Sequence, residues 1–248
     1  MRNGSVAYEG TGFLVDDLTL VTAASNVLRI DGPVTSINVY AGYWGSCHVR
    51  GEERIGQVQC AERIGKRVAV HWGYYDNRYA VQFDLAVIRV NEPFTLVHNY
   101  IEYSTCPNDN ESEDSCIRVV GYPEHLPEDA KGKYMYESQG HSEPDIVDDG
   151  YLLKYSLYGG GSSGSPVLKF GSNGKFHAIG VHRDGDPRCS EAAPLGHNGN
   201  LIPAFVRGIE IMESADRQND PCYRIEEIFS KTPEGLTKIS ILRPPDEQ

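Results

Sequence analysis

The chain has 248 residues with 35 acidic against 23 basic side chains, a net charge of −12, and 40% hydrophobic and 23% charged residues. That balance fits a globular domain with ample core material, and it argues against nucleic acid as a partner, because phosphate backbones are held by clustered Lys and Arg. No apolar run approaches the roughly 20 residues that span a bilayer, and the N-terminus lacks the charged-then-apolar profile of a signal peptide.

Taken in chain order, short β-rich runs bounded by Gly, Pro, Asn and Asp predict strands at Val6–Tyr8, Thr11–Val15, Leu18–Thr22, Ile37–Tyr40 and Ala80–Val90. A second set follows at Cys116–Val120, Lys133–Gln139, Tyr151–Tyr155, Pro166–Phe170, Lys175–Val181 and Leu201–Pro203. Many short strands with hardly any helical periodicity predict an all-β sandwich or barrel protein. The acidic stretch from Cys106 to Ser115 separates the two sets and reads as a linker. Arg224–Phe229 reads as a short terminal helix and Ile239–Leu242 as a strand.

Cysteines stand at 47, 60, 106, 116, 189 and 222, with no CxxC pair and no histidines at zinc spacing, so neither a metal nor a cofactor is expected. Short separations suggest the disulfides Cys47–Cys60 and Cys106–Cys116, with Cys189 and Cys222 tying down the tail. Six buried thiols are the alternative. Disulfides together with sequons at Asn3 and Asn110 favour a secreted or extracytoplasmic protein.

The strongest motif is Gly159-Gly160-Gly161-Ser162-Ser163-Gly164-Ser165-Pro166. A nucleophilic serine needs a tight turn that exposes its hydroxyl and aims backbone N–H groups at a developing oxyanion. Ser163 fits that role, with the Gly161 and Ser163 amides as oxyanion donors and a strand beginning at Pro166. A Gly/Ser run by itself is more often a flexible loop. Asp84 leads into the apolar run Leu85-Ala86-Val87-Ile88, where a carboxylate is costly unless paired. Turn hydrogen bonds would explain it equally well without chemistry.

Gly10-Thr11-Gly12-Phe13-Leu14-Val15, Leu20-Val21-Thr22-Ala23-Ala24, Val120-Gly121-Tyr122-Pro123, Met135-Tyr136-Glu137-Ser138-Gln139-Gly140, the Ser163 turn and Ile179-Gly180-Val181-His182 occur in that order. In this the chain resembles the trypsin-like serine peptidases, most closely their glutamyl endopeptidase (V8-like) branch. The resemblance implies two six-stranded antiparallel β-barrels with a peptide-binding cleft between them. The expected divisions are residues 1–110 for the first barrel, 111–212 for the second, and 213–248 as an extension packed on the body. It also implies Ser163 as nucleophile, Asp84 as the orienting acid, and His182, Tyr158 and Gly185 around the substrate's side chain. A His in the place of His182 holds a Glu carboxylate in that branch, while Tyr158 and the neighbouring Asp184 and Asp186 oppose an acidic substrate unless Arg183 and Arg188 offset them. Leu157 is expected on the opposite pocket wall. A monomer acting on a peptide or protein is the implied assembly.

Ser25 stands where the family carries its catalytic His. A hydroxyl cannot collect a further proton near neutral pH, and losing the base costs on the order of 10⁶ in turnover. The chain is therefore expected to be inactive or nearly so. Three readings of Ser25 stay open: a deliberate inactivating substitution, a natural pseudoprotease that keeps its cleft for binding, and a substrate His entering the gap as base.

Overall fold

The computed structural model describes residues 9–30, 32–43, 52–55, 58–77, 80–95, 97, 99–106, 115–123, 126–127, 133–147, 150–158, 162–183, 190–213, 224–232 and 235–243. The first set of strands comprises β1 (Gly12–Leu14), β2 (Thr19–Thr22), β3 (Leu28–Arg29), β4 (Gly32–Pro33), β5 (Asn38–Ala41), β6 (Glu52–Ile55), β7 (Val58–His71) and β8 (Ala86–Val90), with the one-turn helix α1 (Trp72–Asp76) after β7. The second comprises β9 (Ser115–Gly121), β10 (Tyr136–Val147), β11 (Gly150–Tyr158), β12 (Pro166–Phe170), β13 (Phe176–Arg183) and β14 (Ser190–Pro194). Helix α2 (Ile202–Glu213) and the hairpin β15 (Arg224–Thr232) and β16 (Gly235–Arg243) complete the chain.

The second set closes into a six-stranded barrel in the order β10-β11-β14-β13-β12-β9. The first set forms a curled sheet, β1-β2-β8-β7-β16-β15, with β5 and β6 laid against the early part of β7, while β3 and β4 pair separately. Mostly β architecture with one closed barrel and one curled sheet is the two-barrel layout the sequence predicts, the first unit being left open.

Strand periodicity explains why the apolar runs are so dense. Leu20, Val68, Val70, Ala86, Ile88 and Val90 point into the first sheet's own core, while the intervening Val21, Ala69, Leu85 and Val87 point the other way. In the barrel, Ile117, Val119, Leu153, Val167, Ile179 and Ala192 fill the interior. Leu168, Ala178, Val181 and Ala193 turn outward to meet the first sheet's second face. Side chains that alternate across a strand thus serve an inner core and a shared one. Each large residue deleted from such a core costs about 2–5 kcal/mol.

Three local expectations are corrected. Leu201–Pro203 begins a helix, not a strand: Pro203 sits in the first turn of α2, where its missing N–H breaks nothing. The buried Ile202, Phe205 and Ile209 recur at helical spacing and seal the shared core. Arg224–Phe229 lies within β15, not a helix, because β16 pairs parallel to β7 from Lys238↔Arg67 to Leu242↔His71 and β15 then pairs with β16. Pairing satisfies backbone groups that an open β7 edge leaves bare. Finally, Cys106 and Cys116 are not bridged. Cys106 packs in the barrel core beside Ile117, and strand alternation turns the adjacent Cys116 to the outside. The other expected pairs, both sequons, the Val6–Tyr8 strand and most of the acidic linker lie outside the described residues.

Candidate active site

β2 ends at Thr22, and after the extended Ala23 a single 3-10 turn, Ala24–Asn26, delivers Ser25. A second 3-10 turn, Val81–Phe83, delivers Asp84 just before β8. Ser163 sits in the turn ahead of β12. These three converge. The Ser25 amide donates to Asp84 Oδ1 at 2.7 Å, its hydroxyl donates to Asp84 Oδ2 at 3.0 Å, and the same Oγ lies 3.3 Å from Ser163 Oγ. Asp84 is wholly buried, and desolvation raises its carboxyl above the ordinary range. The Ser25 and Ala24 donors and the Arg183 guanidinium pull it partly back.

Residues that the sequence did not single out hold the nucleophile turn in place. Ser163 O accepts from the Thr11 amide and from Asn26 Nδ2, both at 2.9 Å. Asn26 Nδ2 also reaches Thr22 Oγ1 at 2.9 Å, and Thr22 Oγ1 donates to Thr11 O at 2.6 Å. On the barrel side the Gly164 amide donates to His182 O and the His182 amide to Ser165 O, each at 2.8 Å. Gly164 adopts φ +90°, and a Cβ there would overlap Thr11 O and Thr22 Oγ1. Asn26 was detectable only as the neighbour of the base position. Arg183, expected from sequence to offset Asp184 and Asp186, both outside the described residues, places Nε 4.0 Å from Asp84 Oδ2.

His182 is buried to 1% exposure in β13. Its Nδ1 lies 2.5 Å from the Tyr155 hydroxyl, and its Nε2 has no hydrogen-bond partner among the described residues. Leu157 faces the barrel core, not a pocket wall, so it says nothing about the substrate. Gly161 and Gly185 lie outside the described residues, as do Asp184, Asp186 and Arg188. For Tyr158 the structure gives the backbone pairing with Gln139. Among the described residues no cluster of ligating side chains could hold a metal.

An acid and two serine hydroxyls, one of them borne on a tight turn, drawn from two sheets and meeting at the edge of a shared core, define the arrangement. The trypsin-like peptidase domain family matches residues 10–179, more than half of the chain. The chain belongs to the trypsin-like peptidase family. Solved structures agree on the fold of this trypsin-like domain. A Glu endopeptidase in complex with MPD superposes with TM-score 0.60 at 22% identity, covering 84% of this chain and 86% of that one. A mutant of human heparin binding protein gives 0.59 at 14% identity, covering 86% and 90%. The protease Anisep from Arthrobacter nicotinovorans gives 0.54 at 16%, covering 77% and 85%. No curated protein matches the sequence. Among the described residues no helix of the domain is long and apolar enough to cross a membrane.

Two buried histidines give the domain a defined acid sensitivity. His71 stacks on Phe83 with centroids 4.9 Å apart and accepts from the Gly73 amide at 2.9 Å. Burial lowers both His71 and His182 from 6.5 to about 4. Between those values the unfolded chain binds protons that the folded one refuses. Stability is therefore complete above pH 6.5 and falls as pH drops towards 4, by on the order of 3 kcal/mol per histidine. Asp84, shifted upward, works in the opposite sense over its own range, since its folded form holds the extra proton. Urea midpoints measured across this interval should slope steeply for the parent and about half as steeply for His71→Phe.

Proposed function

We propose that this chain is a trypsin-like serine endopeptidase scaffold whose cleft receives peptides with a Glu side chain before the bond facing Ser163, and that Ser25 leaves it without useful peptide turnover. The observation carrying the Glu preference is the Nε2 of His182, buried with no hydrogen-bond partner among the described residues. Tyr155, whose hydroxyl is pushed well above its ordinary pKa by burial, donates to Nδ1 at 2.5 Å. Its contact to Glu191 O, at 3.5 Å, is the weaker one. That tautomer leaves the proton on Nε2, a buried donor in want of an acceptor. A carboxylate entering the pocket supplies one, and the hydrogen bond is charge-assisted. The named Glu endopeptidase among the structural matches supports the same reading.

Profiling a Ser25→His variant on a peptide library tests this preference. Enrichment of Glu before the cut supports it, and cleavage mainly after Lys, Arg or large apolar residues removes it. The family resemblance assigns Gly161 to the proposed oxyanion site and Tyr158 and Gly185 to the substrate's side chain.

A second reading, a natural pseudoprotease that binds peptide or protein without cutting, draws support from Ser25 itself. Its hydroxyl is bonded to Asp84 and within reach of Ser163, so the base position is filled and settled. A heparin-binding protein among the matches shows that this fold carries binding names as well as peptidase ones. A net charge of −12 does not suit a polyanion here, which keeps the proposed ligand a polypeptide. We take the protein to act as a monomer outside the cytoplasm, the common setting of its family.

A further inference from the structure

The hydroxyl at position 25 has one proton, and the structure commits it to Asp84 Oδ2 at 3.0 Å. In the 3.3 Å contact between the two serine oxygens, Ser163 is therefore the donor. The three groups form a directed chain from Ser163 through Ser25 to the carboxylate. A hydroxyl is a poor resting place for a proton but a competent carrier of one, since it can release its own proton as it accepts another.

We propose that Asp84 serves as the terminal base for Ser163 through the Ser25 hydroxyl, giving the chain a slow nucleophilic activity towards activated esters and phosphonates. This rests on reading the cleft as that of a peptidase. In the step, Ser163 Oγ bonds to the ester carbonyl carbon, and the C=O π pair moves onto oxygen. The Ser163 proton passes to Ser25 Oγ while the Ser25 proton passes to Asp84. Collapse re-forms the carbonyl and breaks the bond to the leaving alkoxide, which recovers the proton from Asp84 by the same route. Water repeats the sequence to release the acyl group.

Two features suit Asp84 to this task. Full burial makes its carboxylate more basic than an exposed one. Its second oxygen is fixed by the Ser25 amide at 2.7 Å, so the accepting oxygen keeps its aim. Among the described residues the charged group facing it is Arg183 of β13, 39% exposed with Nε 4.0 Å from Oδ2, which favours the ionised carboxylate. A carboxylate remains a weaker base than imidazole at neutral pH, which limits the rate. Amines, as poor leaving groups, fall outside its reach.

Labelling of Ser163 by a fluorophosphonate probe tests the relay, with fluoride as the leaving group and intact-protein mass as the readout. The parent should label, and acidification should slow it only as the Asp84 carboxylate takes up its proton, so that Asp84→Asn removes the pH dependence of the rate along with most of the rate itself. Ser25→Ala and Asp84→Asn should each slow labelling by about tenfold or more, while Ser25→Thr, which keeps a hydroxyl, should retain it. Ser25→His should label quickly at pH 7.5 and lose rate on acidification. A parent that stays unlabelled beside a labelled Ser25→His variant overturns the relay and leaves the peptidase reading intact, as does Ser25→Ala labelling at the parent's rate. A folded Ser25→His variant without labelling overturns the peptidase reading and the relay with it.

Discussion

Replacing Ser25 by His should raise peptide hydrolysis by on the order of 10⁵–10⁶, the range lost when a serine-peptidase triad forfeits its base. The neighbours an imidazole would use lie on either side of position 25. Asp84 is buried with an oxygen aimed at residue 25, and Ser163 Oγ lies within reach on the other side. The ring is longer than a hydroxyl, so the Ser163 side chain must turn aside to admit it, which a rotamer change on a half-buried serine permits. Arg183 contests the same Asp84 oxygen at 4.0 Å and should hold the gain below its ceiling. The measurement is kcat/KM on a fluorogenic peptide with Glu before the scissile bond, parent against variant. A folded variant no faster than the parent would show that these residues do not form a triad.

The second large effect belongs to Gly164. With φ at +90° and a Cβ position already occupied by Thr11 O and Thr22 Oγ1, Gly164→Ala is strained both in backbone and in space. Left-handed backbone costs an alanine about 1–2 kcal/mol and forced overlap about 1–3 more. At roughly 2–4 °C per kcal/mol for a chain of this size, Tm should fall by on the order of 10 °C. Because the Gly164 amide anchors to His182 O, the turn should also shift Ser163, and labelling in the Ser25→His background should vanish well below the new Tm. Calorimetry and probe labelling on the same samples would check both halves. Unchanged melting would contradict the close packing seen here.

Much of this was legible in the sequence because strand alternation and glycine chemistry are local. The runs around Leu20, Ile88 and Ile179 announce strands without any knowledge of their partners, and the turn before Pro166 announces itself by composition. The β7 strand was hidden. Arg63 lies on it at 7% exposure, with its guanidinium spent on the carbonyls of Glu92 and Pro93, so a charged residue occupies what periodicity would require to be apolar. The strand also changes register between Gly65 and Arg67, which breaks the pattern a second time. Helix α2 was misread because Pro203 looks like a terminator until its place in the first turn is known. The approach of Arg183 to Asp84 depends on which face β13 presents to the other sheet, a tertiary fact that no local pattern carries. Cys116 misled for the same reason: nearness in sequence to Cys106 does not fix the side of the barrel it faces.

Two short hydrogen bonds that join the sheets at the cleft, from the Thr11 amide and Asn26 Nδ2, both end on the carbonyl of Ser163 and not on its hydroxyl. The Ser25 hydroxyl adds only the longer 3.3 Å contact to that backbone-anchored frame. Position 25 is thus a place where chemistry can be varied while the frame that holds the two sheets together stays in place.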